Sequence, residues 1–186
     1  MDRVAQADRV APVVVAVPEM EPVSPAFVPD AALSRESMED LQREIAAAAT
    51  FADDAPDLDR VCDESGEAPQ ESPADEQGDQ PLVAGVDQAF RDDEVVSAIV
   101  VTQGGAVVER VHAVTPTEIP YIPGLLAFRE GGPILAAFAE LDCEPDVALF
   151  DGSGRIHYRQ AGLATHVGVT LDLPAIGVAK RLLCGE

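Results

Sequence analysis

The stretch PLVAGVDQAFRDDEVVSAIVVTQGGAVVERVHAV, residues 81–114, decides the fold. Leu82 to Ala89 reads as a buried strand and Val95 to Val101 as a second. Gly104-Gly105 is a hairpin signal, and Ala106 to Val114 forms the third strand. Three strands in immediate succession predict an antiparallel meander. Downstream, Thr115 to Gly124 is a Pro-rich loop. A helix is expected after Gly131-Gly132, with Pro133 in its first turn and Ile134, Leu135, Phe138 and Leu141 on its buried face. Val147 to Phe150 is a short buried strand, residues 162–170 read as a helix, and Ala175 to Ala179 as a last strand. The order is three antiparallel strands, helix, strand, helix, strand. That is an α/β chain of ribonuclease H-like plan: a mixed sheet flanked by helices.

Upstream of the stretch the pattern is weaker. Residues 1–33, rich in Val, Ala and Pro, read as an irregular arm. Met38, Leu41 and Ile45 place an apolar stripe on a helix from about Glu36 to Thr50, with Ser37 and Asp40 as a weak capping box. Residues 34–186 then form one domain, interrupted at 53–80 by an acidic insert expected to be disordered.

The formal net charge is −22, from 34 acids against 12 Lys and Arg. Proteins that bind nucleic acid are usually basic, because Lys and Arg displace counterions from phosphates. Here Lys180 is the only lysine. Acids in excess with lysine nearly absent is the surface style of proteins working in concentrated salt, where the screening length falls to about 3 Å and a diffuse negative charge no longer repels DNA at range. Cys62, Cys143 and Cys184 are widely spaced and odd in number, which predicts reduced thiols and a cytoplasmic protein. No apolar run reaches transmembrane length, so a membrane is not expected as a partner. A monomer is expected.

Two acids break the apolar pattern. Asp87 sits inside the first strand, and Asp151 ends the fourth in a Phe-Asp-Gly turn. In the predicted plan these strands are neighbours, about 4.8 Å apart. Two carboxylates that close repel unless a cation lies between them, and hard oxygen ligands suit Mg²⁺ or Mn²⁺. Glu130 can reach the same point from just before the helix. The competing reading pairs Asp87 with an arginine and leaves Asp151 to make a turn. His157 follows Asp151 closely enough to orient a water or touch a phosphate, whereas His166 on the predicted helix reads as a packing residue. Tyr121 lies between Pro120 and Pro123, which stiffen its loop and hold the ring in one orientation, to wedge into a base stack or to pack on the domain surface. Lys180, at the end of a strand, is suited to a phosphate.

These motifs resemble the signatures of the endonuclease V family, in order. They are Ala-Gly-Val-Asp at 84–87, Pro-Tyr-Ile-Pro-Gly-Leu-Leu-Ala-Phe-Arg-Glu at 120–130, Asp-Gly-x-Gly-x-x-His at 151–157, and Ile-Gly-Val-Ala-Lys at 176–180. The resemblance implies a Mg²⁺-dependent DNA repair nuclease (Mn²⁺ could substitute). It would hydrolyse the second phosphodiester 3′ of deoxyinosine and leave 3′-hydroxyl and 5′-phosphate ends. It implies that Asp87, Glu130 and Asp151 bind metal and that His157 assists near the scissile phosphate. The wedge Tyr121 would belong to a substrate-binding loop with Pro120, Ile122, Pro123 and Gly124. The backbone around Gly124 and Gly152 would hold the flipped hypoxanthine, and Lys180 would meet the phosphate backbone. Some relatives prefer inosine in RNA. Tyr158 stands where the family usually has proline. The family usually continues past the block at 176–180 to a Pro-Gly-His segment, so the chain is expected to lack those C-terminal elements. An inosine-specific ribonuclease, or an inactive truncated relic that only binds nucleic acid, are the alternatives.

Overall fold

The computed structural model describes residues 20–52 and 80–179. The acidic insert, most of the N-terminal arm, Cys62, Lys180 and Cys184 lie outside the described residues. Pro25–Phe27 forms one 3-10 turn, and helix α1 spans Arg35–Ala48. Strands β1 (Leu82–Arg91), β2 (Glu94–Gln103) and β3 (Ala106–Pro116) follow. Helix α2 (Leu126–Phe138), strand β4 (Val147–Asp151), helix α3 (Leu163–Leu171) and strand β5 (Ala175–Val178) complete the described elements. The sheet has five strands in the order β3-β2-β1-β4-β5. β1 to β3 form an antiparallel meander, while β4 runs parallel to both β1 and β5. This is the ribonuclease H-like arrangement expected from the element order.

Strand alternation assigns the two faces of the sheet. Ala84 and Val86 lie opposite Val101 and Ile99, and all four pack with Ile134, Phe138, Phe150, Leu163 and Val167 in the main core. Of the residues of opposite phase on β1, Val83 is buried and Gly85, Asp87 and Ala89 are exposed. Helix α1 adds a further layer over α3, through a second cluster of Met38, Leu41, Ile45, Leu125, Phe128 and Ala161.

Two local readings of the sequence are corrected. The cap of α1 is Ser34, whose hydroxyl accepts from the Ser37 amide at 3.1 Å. Ser37 is therefore inside the helix. Helix α2 begins at Leu126, so Glu130, Gly131, Gly132 and Pro133 are all helical. Two glycines and an interior proline together cost a helix about 5 kcal/mol against alanine. Burying Phe128, Ile134, Leu135 and Phe138 returns about 6–12 kcal/mol. Burial on both sides of the Gly-Gly-Pro run decides the helix.

His166 of α3 is wholly buried. Its Nε2 lies 2.9 Å from the Phe27 carbonyl oxygen, which also accepts from the Thr170 hydroxyl at 3.1 Å. A carbonyl only accepts, so Nε2 carries the proton, and Nδ1 has no partner among the described residues. The ring packs edge-on against Phe128. The predicted packing role stands, and it ties the N-terminal segment to α3. Burial pushes the His166 pKa down to about 4, against a partial rise from the Phe27 bond. With the folded value depressed, the unfolded chain takes up the proton first as pH falls. Stability present above pH 6.5 is therefore lost down to about pH 4, by about 3 kcal/mol. Urea unfolding of wild type and His166→Gln across that range should show this component missing in the variant.

Candidate active site

β1 and β4 keep parallel register up to Val86 opposite Phe150. Asp87 and Asp151 each stand one residue beyond that last pair. They therefore emerge on the same face where the two strands part. Asp87 Oδ1 accepts from the Gln88 amide at 2.8 Å. Glu130 arrives from α2 with only 8% of its surface exposed. All three acids line one cavity of about 270 Å³, with Gln88, Tyr121, Leu126 and Leu163 among its walls.

Burial pushes the Glu130 pKa up to about 7. The nearby Arg129 charge opposes this, while the carboxylates of Asp151 and Asp87 push it further up. Gln88 anchors the segment from the sheet side. Its amide donates to the Glu130 carbonyl at 3.0 Å and to the Ser97 hydroxyl at 3.2 Å.

These residues fit a hard divalent cation in kind. Three carboxylates face one space, and their mutual repulsion is what a cation relieves. Among the described residues no three acids, histidines or cysteines already converge to hold an ion directly. The cavity is several times the ~30 Å³ a water occupies in the liquid. It has room for an ion that keeps part of its hydration shell, as Mg²⁺ does.

A second cavity of about 460 Å³ shares Tyr121, Leu126, Asp151 and Leu163 with the first. Gly124, Ala127, Gly152, His157, Tyr158 and Ala161 are among its other walls. Gly124 has φ +79°, a left-handed conformation that favours glycine. A Cβ there would also press on the Tyr158 ring at 3.1 Å. Gly177 of β5 lies so close to the loop after β4 that a Cβ would come within 2.4 Å of the Gly154 nitrogen and 2.5 Å of the Gly152 oxygen. Helix α2 starts beside this cavity, and its N-cap residue, Leu125, makes no side-chain cap to the first turn. His157 Nδ1 accepts from the Arg159 amide at 3.2 Å, so the neutral ring is protonated on Nε2. Burial and the Arg159 charge hold its pKa below the usual histidine value, while a hydrogen bond to the Gly124 backbone pulls upward.

The sequence-predicted residues thus divide. Asp87, Glu130, Asp151, Tyr121, Gly124, Gly152 and His157 come together around the paired cavities. Pro120, Ile122 and Pro123 line neither. Ile122 packs inward on the α1 cluster, and the two prolines are exposed. Lys180 lies outside the described residues, one position after Ala179 at the end of the large cavity's wall. Gln88 and Gln42 were not foreseen. Gln42 did carry a signal: it sits four residues after Met38, on the apolar face of α1.

A family model for endonuclease V matches residues 67–186. The chain belongs to the endonuclease V family. It is 62% identical over 172 residues to endonuclease V of Haloarcula marismortui, covering 89% of this chain and 64% of that one. The Natronomonas pharaonis endonuclease V is 60% identical over 167 residues, covering 90% of this chain and 62% of the relative. The chain therefore spans less than two thirds of the length of these relatives. Among solved structures, Bacillus subtilis endonuclease V superposes with a TM-score of 0.67 at 30% identity, covering 84% of this chain and 61% of that chain. Ciona intestinalis endonuclease V, solved with a 23mer DNA containing an inosine followed by a ribo-adenosine, gives 0.62 at 26% identity, covering 81% and 60%. Among the described residues no helix is long and apolar enough to cross a membrane.

Two outcomes follow from the geometry. Raising the Glu130 pKa from 4.5 to about 7 means the folded state keeps a proton that the unfolded chain releases in that window. Metal-free stability should fall as pH rises from about 4.5 to 7. In metal-free thermal melts, Glu130→Gln should gain over wild type above pH 7 and show no gain below pH 4.5. Gly177→Ala meets backbone on the opposing loop, so it should destabilise by about 1–3 kcal/mol in urea unfolding.

Proposed function

We propose that this chain is a metal-dependent endodeoxyribonuclease of DNA repair that nicks beside deoxyinosine. It would hydrolyse the second phosphodiester 3′ of the lesion and leave 3′-hydroxyl and 5′-phosphate ends. One observation carries this reading: a three-carboxylate cavity and a larger, mostly apolar cavity share a wall that includes Asp151 and Tyr121. A base drawn into the larger cavity would leave its 3′ backbone beside the acids.

Asp87, Glu130 and Asp151 would hold Mg²⁺, or Mn²⁺ in its place. The ion supplies charge neutralisation at the phosphate and lowers the pKa of a water. The remaining roles belong to the chain itself. Tyr121 is 55% exposed on the shared wall, so its ring can fill the gap that an extruded nucleotide leaves. The uncapped first turn of α2 offers backbone N–H groups beside the apolar cavity, suited to a carbonyl oxygen on the base. Hypoxanthine has such an oxygen where adenine has an amine. His157, on the wall of the larger cavity that Asp151 also lines, would assist near the scissile phosphate. Lys180 is assigned to the phosphate backbone. The reaction is phosphodiester hydrolysis, so the base would stay attached to its sugar. The expected setting is the cytoplasm, in salt high enough to screen a net charge of −22.

Inosine in RNA is the second reading, favoured by the ribonucleotide that follows inosine in the Ciona complex. The test is cleavage of an end-labelled duplex with one deoxyinosine, in Mg²⁺ and multimolar KCl, beside an inosine RNA strand and an undamaged duplex. A nick one nucleotide beyond the lesion is expected, reduced at least about a hundredfold by Asp151→Ala. A folded wild type that binds these strands and cuts none would sink the nuclease reading in favour of a binding role.

A further inference from the structure

The larger cavity is bounded by two loops that the backbone does not join: the one before α2, ending in Gly124, and the one after β4, running through His157 to Ala161. A single side chain from a third element ties them together. Gln42 of α1 is 1% exposed and itself lines the cavity. Its Nε2 donates to the Gly124 carbonyl at 3.0 Å and to the Ala161 carbonyl at 3.3 Å. Its Oε1 accepts from Arg159 Nε at 2.6 Å. The partners fix the orientation of the amide, because carbonyls only accept and a guanidinium only donates. Arg159 Nη2 closes the circuit on the same Gly124 carbonyl at 3.1 Å, and Glu39, one turn before Gln42, lies 3.8 Å from its Nη1.

We infer that Gln42 is a positioning residue that sets the width of the base-binding cavity and thereby its selectivity. The inference rests on the reading of that cavity as a base pocket, and it adds a determinant from α1, which the family model at 67–186 does not include. Three features carry it. The Gly124 carbonyl, turned by a positive φ, is already engaged by Gln42, Arg159 and His157. It is therefore not available to an exocyclic amine on a base. The Gln42 amide bonds both walls, at Gly124 and Ala161, and reinforces the direct Arg159 and His157 bonds to Gly124. The Arg159 side chain is held by Gln42, and the Arg159 amide is what His157 Nδ1 accepts from. A buried amide on an otherwise apolar helix face costs stability unless its hydrogen bonds are made, and here both of its donated bonds go to residues lining the cavity.

The test compares wild type, Gln42→Leu and Gln42→Glu as full chains in multimolar KCl. Leucine suits the apolar α1 cluster, so the fold should survive, as thermal melting will report. Glutamate keeps the acceptor for Arg159 and loses both donors. Amide hydrogen exchange without nucleic acid should quicken about tenfold at 122–126 and 157–162 in both variants, and leave β1 to β3 unchanged. On a deoxyinosine duplex, KM should rise about tenfold with kcat within twofold, and preference for inosine over adenine should narrow. Wild-type exchange at both loops would overturn the brace. Faster exchange with unchanged KM and unchanged base preference would overturn its role in selectivity. A wild type that does not nick would sink the proposed function instead, and the exchange data would still decide whether Gln42 braces the two loops.

Discussion

Parallel pairing of β1 with β4 is the constraint on which the rest of the molecule depends. Strand neighbours sit about 4.8 Å apart, and one residue of slip would turn every side chain to the other face. Register from Val83 opposite Val147 to Val86 opposite Phe150 sets Asp87 beside Asp151 and directs both to one side. The same register puts Val86 and Phe150 into the core against Phe138 and Leu163. Core packing and the juxtaposition of the acids are therefore one geometric fact. A parallel neighbour also demands a crossover, and the helix that makes it, α2, carries Glu130 to the same cavity.

That arrangement is unfavourable for the protein alone. Glu130 is buried and near two other carboxylates, and its pKa climbs to about 7. A site made of mutually repelling acids would be stabilised by a bound cation, as in the function proposed above. The adjoining apolar cavity has the opposite character. Its walls mix small residues with apolar and aromatic side chains, and Gln42, itself on the wall, bonds Arg159 and Gly124. The acidic and the apolar cavity are thus neighbours, with Asp151 and Tyr121 common to both.

Much of this was legible in the residues. Alternation and the Gly104-Gly105 turn located the meander to within a few residues, and the acids inside strands stood out because burial rarely tolerates them. The error at α2 has a definite cause. Gly131-Gly132-Pro133 is a strong local signal for a loop, and it lost to the burial of Phe128 before it and Ile134 and Phe138 after it. The cap of α1 was misplaced by one turn because Ser34 and Ser37 are equally good capping residues, and only the hydrogen bond chooses between them. Pro120, Ile122 and Pro123 read as one binding loop, yet Ile122 turns inward, since a stiff loop must still anchor to something apolar.

By itself the sequence determined the order of elements, the acids available, and the family to which they belong. These depend on local periodicity and on motifs short enough to read in line. Only the tertiary structure decided that Glu130 is buried inside a helix, that two cavities share a wall, and that Gln42 links Gly124 to Ala161. Those facts join segments far apart in the chain. Hydrogen bonds and desolvation act through space, and nothing in a residue's sequence neighbours states which distant carbonyl its amide will meet.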